Sequence, residues 1–155
     1  SHLRIKDIYS RLTSNQPTGK STKNMEIITL ELFELANAAM EKSHSPYSHF
    51  PVGAAILASD SKMYSGTNVE NVSFPVGVCA ETSAISQMVL GGSKLICEIL
   101  VVAEKMEMVF PCGACRQRIA EFADENTKIH ICDKNGVTKT LSVNELLPFS
   151  FKADL

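Results

Sequence analysis

Three cysteines and one glutamate, in two short motifs far apart in the chain, constrain this sequence more than any other feature. The first motif is Cys79-Ala80-Glu81, and the second is Pro111-Cys112-Gly113-Ala114-Cys115. Cysteine thiolates are preferred zinc ligands, and three protein ligands with a fourth position left for water are typical of a catalytic site. Glu81 follows the first cysteine closely enough to transfer protons without binding the metal. The fold is therefore expected to bring both motifs together around one Zn²⁺ ion.

The pair Cys112-x-x-Cys115, taken alone, does not distinguish three kinds of site. It is compatible with a thiol redox pair, with half of a closed structural zinc site, and with part of a catalytic one. A closed site needs a fourth ligand, and the residues of suitable type are Cys97, Cys132, His44, His49 and His130. The two cysteines of this set fall within apolar strand patterns, which favours core positions. His130 is predicted to lie on a strand surface, and the other two histidines in a solvated loop.

The composition limits the class of protein. A chain of 155 residues is long enough for one domain with a substantial core. Its net charge of −2 argues against a nucleic-acid partner, because phosphate binding usually needs a basic surface. No apolar run approaches the about 20 residues of a membrane helix, so no membrane partner is expected. The odd cysteine count favours metal or redox chemistry over a disulfide framework, and with it a cytoplasmic location.

Hydrophobic periodicity predicts an alternation of helices and strands. The predicted helices lie at about 25–43, 79–90 and 112–123, with a short final helix that Ser142 and Glu145 would cap. The predicted strands are 52–58, 62–67, 96–103, 128–132 and 137–141. This order predicts an α/β fold, a three-layer α/β/α sandwich with a mixed five-stranded sheet. Residues 1–24 are polar and are predicted to be an N-terminal extension to a domain spanning 25–155.

Both cysteine motifs stand at the predicted start of a helix. The N–H groups of a helix N-terminus are unsatisfied and carry partial positive charge, which favours a thiolate. We therefore expect lowered thiol pKa values at both motifs, the state in which cysteine binds metal.

Six stretches in a fixed order relate residues 25–155 to a known family. They are Ser45–Ala55, Gly66–Asn71, Cys79–Glu81, Ala84–Ile85, Pro111–Gln117 and Glu145–Pro148. Together they resemble the small, all-cysteine type of cytidine deaminase. The resemblance implies zinc-dependent hydrolytic deamination of cytidine and 2′-deoxycytidine, with release of ammonia, in pyrimidine salvage. It also implies one zinc per subunit and a homotetramer with its sites at subunit interfaces.

The resemblance assigns the chemistry of the site. It makes Cys79, Cys112 and Cys115 the zinc ligands and Glu81 the group that transfers protons between water and the base. The backbone N–H of Ala80 is then expected to hold the pyrimidine carbonyl.

The resemblance also assigns contacts to the rest of the substrate. Asn68 and Glu70 resemble the pair that hydrogen-bonds the ribose hydroxyls, and Phe50 resembles the ring that packs near sugar and base. Phe151 resembles an aromatic residue that stacks on the base in a neighbouring subunit's site. Phe74 stands where the family commonly has a tyrosine, so its contact near the ribose 5′ region lacks the phenolic donor.

A second departure from the family pattern concerns the metal. The family usually reads Cys-Ala-Glu-Arg, whereas this chain has Thr82 after Glu81. Three thiolates on Zn²⁺ leave a net negative charge that an arginine would partly offset and a threonine would not. Arg116 or Arg118 could compensate. Two other functions stay open beside the nucleoside deaminase: deamination of a modified cytosine nucleoside such as blasticidin S, and a zinc-stabilised binding module without catalysis.

Overall fold

The computed structural model describes residues 21–155, with side chains described from Ile27 onward. Most of the predicted extension, 1–20, lies outside the described residues. The helices are α1 (Ser21–Met40), α2 (Ala80–Leu90), α3 (Gly113–Glu121) and α4 (Val143–Leu146), with a 3-10 turn at Phe74–Val76. The strands are β1 (Val52–Ala58), β2 (Met63–Thr67), β3 (Ile96–Ala103), β4 (Lys128–Asp133) and β5 (Gly136–Leu141). None of the described helices combines the length and the apolar character needed to cross a membrane.

The five strands form one sheet in the order β2-β1-β3-β4-β5. Only β3 and β4 run parallel among these pairs, and the chain crosses between them through α3. The other neighbours pair antiparallel. The prediction of an α/β fold with a mixed five-stranded sheet is therefore confirmed.

Alternation along β1 explains why helices cover both faces of the sheet. Ala54 and Ile56 belong to the core that α2 and α3 cover, whereas Ala55 and Leu57 belong to the core beneath α1. A strand whose successive side chains are all apolar has two faces to bury. β1 therefore belongs to the middle layer of a sandwich, with helices packed on both of its faces.

The helices α1 and α3 differ slightly at their ends from the predicted ranges. α1 begins four residues earlier than the periodicity indicated and ends at Met40, where the N–H groups of Lys42 and Ser43 bond three residues back instead of four. The N–H of Phe122 does the same after α3. Tightening of the last turn is a common way to satisfy terminal carbonyls.

A glycine sets the distance between α2 and the sheet. A Cβ atom added at Gly66 in β2 would lie 2.2 Å from the backbone nitrogen of Ala84 in α2. No side chain fits there, so glycine allows the backbones to meet directly. This contact holds the start of α2 near the end of β2, where Asn68 follows.

The prediction that His130 lies on a strand surface is wrong. Its ring is buried between α1 and the sheet, with Nε2 2.7 Å from Glu98 Oε1 and Nδ1 2.8 Å from Thr140 Oγ1. His130 does point to the opposite face of the sheet from Ile129 and Ile131, as the alternation predicts. However, α1 covers that face, so His130 is buried.

Replacing Glu98 by alanine is expected to lower the free energy of unfolding by about 2 kcal/mol, because it leaves the buried Nε2 of His130 without its hydrogen-bond partner. Chemical denaturation would measure this loss. Glu121→Ala, at an exposed site, serves as the matched control and should change stability by less than about 0.5 kcal/mol. A loss below about 1 kcal/mol at Glu98 would contradict the importance of the pair.

Candidate functional site

Two adjacent helix starts bring the three cysteines together. Cys79 and Cys112 are the N-cap residues of α2 and α3, and Cys115 lies in the first turn of α3. Their sulfur atoms all lie within 4.8 Å of one another. Three sulfurs bound to zinc at about 2.3 Å in a tetrahedron would lie about 3.8 Å apart. The donor set and its spacing therefore fit a zinc ion, with these residues as the ligands and a fourth position left for water.

The expectation that both motifs have lowered thiol pKa values holds for one of the three thiols. Burial raises the pKa of Cys112, but hydrogen bonds from the backbone N–H groups of Cys115 and Ala114 and from the thiols of Cys115 and Cys79 together outweigh it and hold that pKa below its usual value. Burial raises the pKa of Cys79 and of Cys115, and in both cases the charge of Glu81 adds to the rise. Three thiolates and a carboxylate so close together need a cation, which a divalent metal supplies.

Arg116 holds the second motif in shape. Its Nε donates to the carbonyl of Pro111 at 2.8 Å, and its Nη1 donates to the carbonyl of Leu146 at 3.0 Å. These bonds tie the turn before α3 to α4. The Arg116 guanidinium thus donates to backbone carbonyls. The charge of Arg118 contributes to lowering the pKa of Glu81.

Glu81 is buried in the first turn of α2, with 5% of its surface exposed. Burial raises its pKa above the ordinary value, while its own backbone N–H and the Cys115 thiol lower it. A carboxyl group whose pKa is raised by burial is a better proton acceptor than an ordinary exposed carboxylate. The environment of Glu81 therefore suits acid–base work beside a metal.

One cavity of about 360 Å³ opens onto the metal centre. This volume lies at the lower end of the range for small-molecule sites. Seven of the ten predicted site residues line it: Asn68, Glu70, Phe74, Cys79, Ala80, Glu81 and Cys112. The carboxyl groups of Glu70 and Glu81 and the amide of Asn68 thus share a single cavity with Cys79 and Cys112.

Glu70 lines this cavity together with two of the cysteines. Its Oε1 accepts hydrogen bonds from the backbone N–H groups of Tyr47 and Ser48, both at 3.1 Å. Hydrogen bonds from the Ser48 side chain and backbone hold the pKa of Glu70 below its usual value. The carboxylate therefore stays ionised at neutral pH and can accept a further hydrogen bond.

Three predicted residues lie outside the cavity lining. Cys115 is fully buried behind the other two cysteines. Phe50 contributes its carbonyl, which accepts from Asn68 Nδ2 at 2.9 Å, and its ring is not part of the wall. Phe151 belongs to the C-terminal tail and is 77% exposed, with its carbonyl bound by Gln117 Nε2 at 3.1 Å. An aromatic ring in that position is available to another molecule.

The structure also adds residues that sequence reasoning missed. Val109 and Phe110 form part of the cavity wall, and Tyr47 places its ring 5.8 Å from that of Phe74. Val109 and Phe110 directly precede Pro111-Cys112, and this position could have indicated that they lie near the site. Tyr47 lies within the stretch Ser45–Ala55, but nothing in the sequence links it to Phe74.

Thr82, the residue that departs from the family pattern, lies one helical turn after Cys79. Its hydroxyl oxygen is buried, and no described residue offers it a hydrogen-bond partner. An unsatisfied buried hydroxyl costs about 1–3 kcal/mol. The α2 start thus contains a buried polar group for which the described part of the chain supplies no hydrogen bond.

Comparison with known proteins gives a consistent assignment. Residues 28–131 match the model of the cytidine and deoxycytidylate deaminase zinc-binding region. A cytidine deaminase of Sporosarcina psychrophila is 40% identical over 126 residues, which cover 81% of this chain and 93% of the relative. One of Halalkalibacterium halodurans is 39% identical over 123 residues, covering 79% and 93%.

A solved structure agrees with these sequences. The crystal structure of a cytidine deaminase from Burkholderia pseudomallei superposes with a TM-score of 0.74 at 37% identity, covering 79% of this chain and 98% of that one. The shared sheet, the family match and the cluster of three thiols point the same way. The chain belongs to the zinc-dependent cytidine and deoxycytidylate deaminase family.

Proposed function

We propose that this protein hydrolyses cytidine and 2′-deoxycytidine to the corresponding uridines, with release of ammonia. The observation that carries the proposal is the single cavity in which a buried Glu81 stands beside the clustered thiols and which Asn68 and Glu70 also line. The thiols and Glu81 provide for chemistry on a base, and Asn68 and Glu70 provide hydrogen bonds for a sugar.

Cys79, Cys112 and Cys115 would hold a zinc ion, which would make a water molecule nucleophilic at neutral pH. Glu81 takes a proton from this water and delivers it to N3 of the cytosine ring, while the water oxygen forms a bond to C4. The proton left on that oxygen then passes through Glu81 to N4, the C4–N4 bond breaks and the C4 carbonyl forms. Neutral ammonia leaves, so one water is consumed for each ammonia released.

The remaining residues orient the nucleoside. Ala80 is the first residue of α2, so its backbone N–H has no partner within the helix and can donate to the pyrimidine carbonyl. Glu70 accepts a hydrogen bond from a ribose hydroxyl, and Asn68 donates to one. Phe74, which lines the cavity and is 73% exposed, flanks the sugar. Phe50 contributes through its carbonyl, which holds the Asn68 amide.

The direct test is turnover of cytidine by the zinc-loaded protein, followed by ultraviolet absorbance. Conversion to uridine with one ammonia per nucleoside is expected. Zinc-loaded protein that converts neither cytidine nor 2′-deoxycytidine would overturn the proposal. It would leave a modified cytosine such as blasticidin S, or zinc-stabilised binding, as the function to pursue.

A homotetramer is part of the proposal, with Phe151 of one subunit stacking on the base in a neighbour's site. Its support is the exposed apolar surface near the cavity and on the tail: Val72, Phe74, Phe149 and Phe151. Light scattering should give a mass of about 68 kDa, four times the 16.9 kDa of one chain. A monomeric mass at micromolar concentration would contradict it.

The cellular setting follows from the same chemistry. Three thiols must stay reduced to bind zinc, which suits a reducing compartment, so we propose a cytoplasmic location. Recovery of uridine from cytidine places the reaction in pyrimidine salvage.

Thr82→Arg is expected to raise kcat about threefold, because a guanidinium near the thiolates would offset their excess negative charge and leave the zinc a stronger Lewis acid. Steady-state turnover of cytidine would measure the gain. Thr82→Val keeps the shape and adds no charge, so it should give no increase. Unchanged or lower kcat in the arginine variant would contradict this account.

A further inference from the structure

The amide of Asn68 is held in one orientation by two backbone groups. Its Oδ1 accepts from the backbone N–H of Val52 at 2.9 Å, and its Nδ2 donates to the carbonyl of Phe50 at 2.9 Å. Because a backbone N–H can only donate, the atom facing Val52 must be the amide oxygen. This fixes which end of the side chain is the donor.

A second donor reaches the same oxygen. The hydroxyl of Ser43, in the segment that follows α1, lies 2.5 Å from Asn68 Oδ1. The same hydroxyl is 3.2 Å from Ser45 Oγ and 3.4 Å from the Asn68 carbonyl. A hydroxyl has one proton to donate, and the shortest of the three contacts is to the side-chain amide.

The backbone joins these two segments as well. The N–H of His44 donates to the carbonyl of Asn68 at 3.2 Å, and the N–H of Glu70 donates to the carbonyl of His44 at 2.8 Å. Ser43 therefore lies next to the backbone hydrogen bonds that connect the segment after α1 to both Asn68 and Glu70. Its hydroxyl contacts the Asn68 side chain itself.

We propose that Ser43 is a positioning residue for the ribose end of the site. It saturates the Asn68 oxygen, so the amide has only N–H to offer the substrate. Of the two Nδ2 hydrogens, one is used by Phe50, and the other is directed to the oxygen of the ribose 3′-hydroxyl, which cytidine and 2′-deoxycytidine share. That hydroxyl then gives its own proton to the ionised Glu70. This assignment rests on the proposed nucleoside deaminase function. It adds that Asn68 donates to the ribose hydroxyl and that Ser43 keeps the amide in the orientation that allows this.

The test compares two substrates and three variants. For Ser43→Ala, the KM for cytidine is expected to rise about fivefold, the effect of one lost hydrogen bond, with kcat changed less than about twofold. For 3′-deoxycytidine, which lacks the proposed hydroxyl, the same variant should leave KM unchanged. Ser43→Thr keeps the hydroxyl and should restore the KM for cytidine. Ser45→Ala removes a hydroxyl that contacts Ser43 but not Asn68, and should behave as the parent protein.

A second measurement does not depend on turnover. The Asn68 side-chain amide protons, observed by NMR in the zinc-loaded protein, should exchange with solvent several-fold faster in Ser43→Ala and at the parent rate in Ser43→Thr. Equal KM increases on both nucleosides, failure of threonine to rescue, or an unchanged exchange rate would overturn the role of Ser43. A parent protein that turns over neither nucleoside would overturn the proposed function instead, and the exchange rates would still decide whether Ser43 holds the amide.

Discussion

Glu81→Gln is expected to lower kcat for cytidine by about 10³-fold while zinc stays bound. Glutamine has nearly the same shape, so the buried site keeps its packing, but an amide cannot carry a proton from water to N3. General acid–base catalysis by one placed group typically contributes 10²–10⁴-fold, which sets the size of the loss. Steady-state kinetics and the zinc content of the same preparation would measure both effects.

The control for this variant is Glu125→Gln, which alters a carboxylate at an exposed position away from the cavity. It should retain full turnover. If Glu81→Gln kept more than about a tenth of the parent kcat, the proton transfers would have to be assigned to another group. If Glu81→Gln lost zinc together with activity, the role of Glu81 would be to stabilise the metal site.

Cys112→Ser is expected to abolish turnover by a different route, through loss of the metal. Cys112 is the most exposed of the three candidate ligands, and it has the one lowered thiol pKa among them. Changes in outer-shell partners of a metal already cost 10–100-fold in affinity, and loss of a ligand should cost more. Zinc content should fall well below the expected one per chain, and kcat should fall with it.

Cys132→Ala is the matched control, since it removes a thiol buried in the core beneath α1 and outside the metal cluster. It should keep one zinc per chain and full turnover. Removing zinc from the parent protein with a chelator should stop the reaction, and adding Zn²⁺ should restore it. Turnover by protein free of zinc would contradict the metal's role.

The fold was predictable because its elements have clear periods and clear ends. The strand Ile96–Ala103 is apolar at every position except Glu98, a pattern typical of a strand buried on both faces. The capping box of Ser142 and Glu145 is present as expected, with Glu145 N–H bound to Ser142 Oγ at 3.2 Å. The helix ends differed by a few residues, because last-turn hydrogen bonding depends on local geometry that periodicity does not encode.

The environment of single polar residues was much less predictable. His130 alternates with isoleucines, which is correct for its direction, but only the packing of α1 decides that this direction leads into the core. The thiol pKa values likewise depend on burial and on the distance to Glu81, which helix position alone does not give.

The sequence by itself determined the chemistry: three thiols, a glutamate beside the first of them, and the order of elements that carries them. Those features follow from residue types and local spacing, so they can be read without coordinates. Only the tertiary structure decided that Asn68 and Glu70 line the same cavity as the cysteines. It also decided that Ser43 and Val52 both donate to the amide oxygen of Asn68. These contacts join segments distant in sequence, and their existence depends on how closely α2 packs against β2 at Gly66 and how the segment after α1 meets the end of β2.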